Sequence, residues 1–188
     1  MPPKVKISKE EIVQTAMALV RTNGYQALNA RAIAAALNCS TQPIFSNFAT
    51  MAELQEAVIL AAYDRYVGFL AKEAGTGKYP PYKAYGMAYV RFAKEEKELF
   101  KLLFMRDRTE EVPSLSPDFE ESVQMIMKAN QISHEKATMI HLETWTCVHG
   151  IGVMIATSFL SFDWDMISDM LSDVYLGIRS RHLSEEAK

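Results

Sequence analysis

The chain has 188 residues, 49% of them apolar and 23% charged, a globular composition that excludes disordered and low-complexity classes. Its 8 glycines and 7 prolines are too few for a turn-rich all-β fold. A net charge of −3 and two distant cysteines, Cys39 and Cys147, exclude a bulk polycation, a disulfide framework and a cysteine-rich zinc site, and fit a cytoplasmic protein.

Residues 1–48 hold Lys4, Lys6, Lys9, Arg21 and Arg31 against Glu10 and Glu11, a net +3 that leaves −6 for the rest. A basic head on an acidic body points to an anionic partner for the head alone. The opening Met-Pro-Pro-Lys-Val-Lys has no apolar core and predicts no cleaved leader.

Ser8-Lys9-Glu10-Glu11 reads as a capping box that opens a helix with Ile12, Val13, Ala16, Leu19 and Val20 on one stripe. Asn23-Gly24 ends it, with Gly24 in the left-handed conformation. Asn29 caps a short helix, Ala30 to Leu37, and Asn38-Cys39 form the next turn. Ser40 is expected to cap a third short helix to about Asn47, with Pro43 tolerated in its first turn. Thr50-Met51-Ala52-Glu53 is a second capping box and opens a long connecting helix over 51–72. Residues 74–82 break the pattern. Further helices are predicted near 81–95, 96–105, 117–131, 134–160 and 164–182, with a charged loop at 106–116 and no strand. Between Glu143 and Asp163 no residue is formally charged. Hydroxyl groups and His149 within that run predict a buried helix rather than a membrane span.

Two short helices joined by a tight turn have the helix-turn-helix layout, whose second helix can enter the major groove of DNA. Thr41, Gln42, Ser46 and Asn47 are its small polar positions, while Ile44 and Phe48 face inward. The run from Ile12 through Gly24, Asn29, Ile33-Ala34, Ser40, Ile44-Phe45 and Phe48 to Glu53-Leu54 resembles the N-terminal domain of the tetracycline-repressor (TetR) family. The resemblance implies an all-helical, homodimeric regulator that acts as a repressor. Its three-helix DNA-binding domain would span 1–50, and its ligand-binding and dimerisation domain 51–188. It makes Thr41 and Gln42 base readers and Asn29, Arg31, Ser40 and Asn47 phosphate contacts, with Phe45 and Ser46 completing the expected DNA-binding face. Phe45, Met51, Asn47 and Asn38 stand where the family commonly has tyrosine, lysine, histidine and glycine. The rival reading is a helical protein-interaction module that has lost DNA binding.

Trp145-Thr-Cys-Val-His149-Gly150 is similar to a Trp…His-Gly signature in one TetR subgroup. Trp145 and His149 are four apart, on one helix face. Phe69, Tyr89, Phe92, Phe104, Met105, Met125, Trp145 and His149 are the candidates to line a site for a small apolar or amphipathic effector, because such sites are mostly apolar with a few polar groups. The competing and more ordinary reading of His149 is a hydrogen-bonded core or interface residue. Gly150, Val153, Ala156, Thr157, Leu160, Met170, Leu171, Val174 and Ile178 are the candidates for a dimer face. No catalytic set, cofactor or metal site is expected. Gly77-Lys78 lacks the rest of a phosphate-binding loop, and His134-Glu135 lacks the second histidine of a zinc-protease helix.

Overall fold

A computed structural model of the protein describes residues 7–109 and 117–184. Lys4, Lys6 and residues 110–116 of the expected charged loop lie outside them. Among the described residues there are helices and turns and no strand. The chain packs as two units, one of residues 1–67 with 96–106 and one of 68–95 with 107–188.

The first unit begins with α1, Lys9–Asn23. Its cap is the expected reciprocal box: the Glu11 amide donates to Ser8 Oγ at 3.1 Å and the Ser8 amide to Glu11 Oε2 at 2.8 Å. Ile12, Ala16 and Val20 are wholly buried along one stripe, so local capping and burial favour the same helix. Gly24 has φ 79° and ψ 170°. This conformation favours glycine but is not the left-handed helical one expected. A 3-10 turn, Tyr25–Ala27, follows. The Asn29 side chain accepts from the Ala32 amide at 2.9 Å and opens α2, Ala30–Ala36. That helix closes through Asn38 at φ 51°. The amide of Cys39 bonds to Ala34 O and that of Asn38 to Ala35 O, which is the Schellman arrangement with asparagine in place of glycine.

The helix α3, Gln42–Asn47, starts later than Ser40 alone predicts. Thr41 is its N-cap, at φ −71° and ψ −12°, and no side chain caps it. Capping side chains bond the second or third amide of a helix. Here the second residue is Pro43, which has no N–H, and the Ile44 amide bonds the Thr41 carbonyl. Ile44 and Phe48 are buried, as expected. Thr50 Oγ1 accepts from the Glu53 amide at 3.2 Å to start α4, Met51–Gly75. Glu53 returns its bond to the Ala49 amide at 2.7 Å, one residue earlier than a standard box.

Residues 96–106, expected in the C-terminal domain, pack with these helices instead. They contain α6, Lys97–Phe104, which lies against α1. The cause is visible at Glu96, which is buried. Arg21 Nε and Nη2 donate to its two carboxylate oxygens at 2.7 and 2.8 Å. Arg65 Nε donates to Oε1 at 2.7 Å. One carboxylate thus ties α1, α4 and the start of α6 together.

The second unit holds the last turns of α4, then α5, Pro81–Glu95, α7, Pro117–Asn130, α8, His134–Ala156, and α9, Trp164–Ser184. The helix α8 packs against α5, α7 and α9. Val123, Ile126, Ala137 and Ile140 form a buried cluster between α7 and α8, flanked by Tyr82, Phe119, Tyr175 and Ile178. Gly86 sets how closely α9 approaches α5. A Cβ placed there would stand 2.8 Å from Leu171 Cδ2. The helix α8 stops at Ala156, short of the expected 160, because Ser158 takes φ 58°. The Ser158 and Phe159 amides then bond Ile155 O and Met154 O, a second Schellman closure without glycine.

Replacing Glu96 with alanine removes a buried acceptor of several charged hydrogen bonds. Both arginines are nearly half exposed and can return to water, so the expected loss is about 1–3 kcal/mol. Urea denaturation of Glu96→Ala at neutral pH measures it, and an unchanged midpoint would show that the pairing adds nothing to stability.

Candidate nucleic-acid interface and effector site

In the first unit the turn between α2 and α3 sets which groups α3 presents. Gln42, Phe45 and Ser46 are exposed, and Thr41 and Asn47 are half-buried. These positions differ in what they have left to offer. Asn47 Nδ2 donates to Pro43 O at 2.8 Å and to Ile7 O at 3.4 Å, so its amide ties the chain before α1 to α3. Asn29 is engaged as a cap at Oδ1 and donates from Nδ2 to Ala27 O. Ser46 Oγ donates to Gln42 O at 2.9 Å. The side chains of Ser40, Thr41 and Gln42 make no hydrogen bond to the described residues. Phe45 is 49% exposed, an aromatic ring on an otherwise polar face.

The cations of the head are distributed in the same way. Lys9 pairs with Glu53 at 3.1 Å and lies over the Phe48 ring at 4.6 Å. Arg21 is held by Glu96. Arg31, exposed on α2, makes no ion pair with the described residues. It is therefore the described head cation left for a phosphate.

In the second unit two tyrosine–histidine pairs join α5 to α8. The Tyr82 hydroxyl is hydrogen-bonded to His141 Nδ1 at 2.9 Å and that of Tyr89 to His149 Nδ1 at 2.7 Å. Both pairs run in the same chain direction, so the two helices lie parallel. Burial pushes both tyrosine hydroxyls well above their ordinary range. Burial also holds His149 below its ordinary value and His141 down to about 4. The Trp145 ring stacks on His149 with centroids 5.1 Å apart and planes at 19°, as their spacing of four predicts. It is 38% exposed. Phe92 is fully buried, and Phe69 meets it edge-on at 5.3 Å. Met125 is half-buried on α7. Phe104 and Met105 belong to the first unit, where Phe104 packs edge-on against Tyr66 at 5.4 Å. The Tyr82–His141 pair is missing from the sequence expectation. Its signal was the spacing of tyrosines by seven on α5, matched by histidines eight apart on α8.

The dimer candidates divide. Gly150 has open space where a Cβ would stand, Val153, Met170 and Val174 are half-buried, and Thr157 and Leu160 are exposed. Ala156 and Leu171 are buried within the protomer, and Ile178 packs on its internal cluster. Besides Leu160, the exposed large apolar residues of this unit include Met139, Leu142 and Trp145 on α8, Phe159 just after it, and Met166 and Leu176 on α9. Sequence periodicity found the apolar positions but assigned some of them to the wrong side.

An all-helical protein with a helix-turn-helix in one unit and a helical bundle in the other is the layout of a one-component DNA-binding regulator. Residues 82–174 match the family model described as tetracyclin repressor-like, C-terminal domain. Among solved structures, a TetR-like transcriptional regulator from Rhodococcus sp. RHA1 is similar with a TM-score of 0.68, at 16% identity over 94% of this chain and 96% of that one. A protein of unknown function from the same organism gives 0.72, at 18% identity over 94% and 98%. The multidrug binding protein EbrR, solved with imidazole, gives 0.59, at 15% identity over 88% of each chain. No curated protein matches by sequence. Residues 82–174 thus carry the C-terminal domain of the TetR family, and the solved structures share the fold over most of the chain. No helix among the described residues is long and apolar enough to cross a membrane.

His141 titrates lower in the folded chain than in the unfolded one, so the unfolded state binds more protons between about pH 6.5 and 4. Stability is therefore fully present above pH 6.5 and falls as pH drops through that window, by on the order of 3 kcal/mol. Denaturation midpoints of the wild type and His141→Gln from pH 7 to 4 measure this. The variant should show the flatter profile, and equal slopes would remove His141 as the cause. Phe92→Ala should cost about 3–5 kcal/mol and the partly exposed Trp145→Ala less, by the same assay.

Proposed function

We propose that the chain is a sequence-specific, DNA-binding transcriptional regulator, a repressor that acts as a homodimer on a two-fold operator and responds to a small apolar or amphipathic effector. The observation that carries the reading is the α2–α3 helix-turn-helix, whose second helix presents Gln42, Phe45 and Ser46 outward, with half-buried Thr41 at its N-cap, while Ile44 and Phe48 anchor it from within. A helix held this way enters the major groove with its exposed side chains toward base edges. Arg31 and Ser40 supply phosphate contacts beside it.

The homodimer reading is supported by the exposed apolar residues Met139, Leu142 and Trp145 on α8, Leu160 after it, and Met166 and Leu176 on α9. Two copies would place their α3 helices in successive major grooves roughly 34–36 Å apart. The effector reading is supported by the polar Tyr89–His149 pair beside Phe92 and Trp145, and by the likeness to a multidrug binding protein. An effector shifts operator affinity only through its different affinity for the bound and released states. Protein side chains, with no cofactor, carry all of these roles.

Selection of bound duplexes from a random pool, at two salt concentrations, tests the DNA reading. The expected result is a two-fold symmetric site with a shallow salt dependence, because few head cations among the described residues are unpaired. Recovery of no site from folded protein would leave a protein-interaction module. Leu142→Glu should convert a sedimenting dimer to a folded monomer at micromolar concentration. A persistent dimer would move the interface elsewhere.

A further inference from the structure

The recognition helix carries a bias that the DNA-binding reading alone does not specify. No lysine or arginine occurs between Arg31 and Arg65, so α3 and its flanking turns hold no cation. Guanine is read most often by arginine or lysine on O6 and N7. That contact is missing from this surface. Gln42 at the start of α3 is exposed, and its amide makes no hydrogen bond to the described residues. A glutamine amide matches the donor and acceptor pair on adenine, N6–H and N7. Phe45, one helical turn on, is 49% exposed and has no hydroxyl to offer a phosphate. A phenyl ring in the major groove finds one apolar group there, the thymine 5-methyl. Thr41 adds a second methyl on the same side. Its hydroxyl makes no capping hydrogen bond. Ser46 accepts an amino proton from adenine or cytosine alike and sets no preference.

We propose that α3 reads A·T base pairs at the centre of each half-site, with Gln42 on adenine and Phe45 against a thymine methyl. This rests on the DNA-binding reading above and specifies its partner. Phe45 is then a specificity residue acting through apolar contact. Removing the aromatic ring would not disturb the fold, because Ile44 and Phe48, not Phe45, hold α3 to the core.

The test uses the full chain and the duplex recovered by selection. Each thymine of a half-site is replaced in turn by deoxyuridine, which deletes only the methyl group. Wild type and Phe45→Ala are titrated against every duplex. One buried methyl corresponds to about a fourfold change in affinity. The expected result is one thymine position where the replacement weakens the wild type about fourfold and leaves Phe45→Ala unchanged. Gln42→Ala should lose the adenine preference at a neighbouring position while keeping that methyl effect. A recovered half-site with G·C pairs at its centre, or a methyl effect of equal size in wild type and Phe45→Ala, overturns the A·T assignment and leaves sequence-specific DNA binding intact. A folded chain that selects no duplex overturns the DNA-binding reading and this assignment with it.

Discussion

A carboxylate removed from water must be neutralised where it stands, and Glu96 is met by two guanidinium groups from two different helices. The bidentate grip of Arg21 fixes both distance and plane. Arg65 approaches from α4 and shares one oxygen. Any large shift of α1 relative to α6 would strand this charge, which is costly in a low-dielectric site. The orientation of α1 in turn positions α2 and α3, which pack on it. The recognition face therefore depends on an ion cluster that contains none of its own residues.

That cluster also changes the meaning of the head's charge. Arg21 and Lys9 count toward the basic excess of residues 1–48, yet each neutralises a carboxylate of its own unit. What remains at the α3 surface is a set of neutral groups. Affinity from counterion release scales with the phosphates actually neutralised. On the proposed DNA-binding reading, such a head would rely on base-edge chemistry more than on field strength.

In the second unit, α8 lies among α5, α7 and α9, and two of its histidines, His141 and His149, are matched in register by tyrosines of α5. Buried hydroxyl and imidazole groups need partners, and Tyr82–His141 and Tyr89–His149 supply them to each other. They fix the register of two parallel helices more specifically than the surrounding aliphatic contacts can. The stacked, partly exposed Trp145 sits at the edge of these pairs, where the unit's own core gives way to its exposed apolar residues.

The sequence by itself determined the helices, their order and most of their ends. These follow from caps, periodicity and breakers that act within a few residues, as in Ser8–Glu11, Asn29 and Pro81. Where local chemistry was ambiguous it misplaced an end. The α3 cap is Thr41 rather than Ser40, and Ser158 closes α8 without a glycine to announce it. It also named the α3 face correctly in part, because inward Ile44 and Phe48 leave the intervening positions outside. Only the tertiary structure decided which polar residues are engaged, since Asn47, Lys9 and Arg21 find their partners across the fold. It alone placed residues 96–106 with the first unit and turned Leu171 and Ala156 inward. Periodicity records that a helix face is apolar. Which neighbour covers that face is set by contacts between residues far apart in the chain, and those have no local signature.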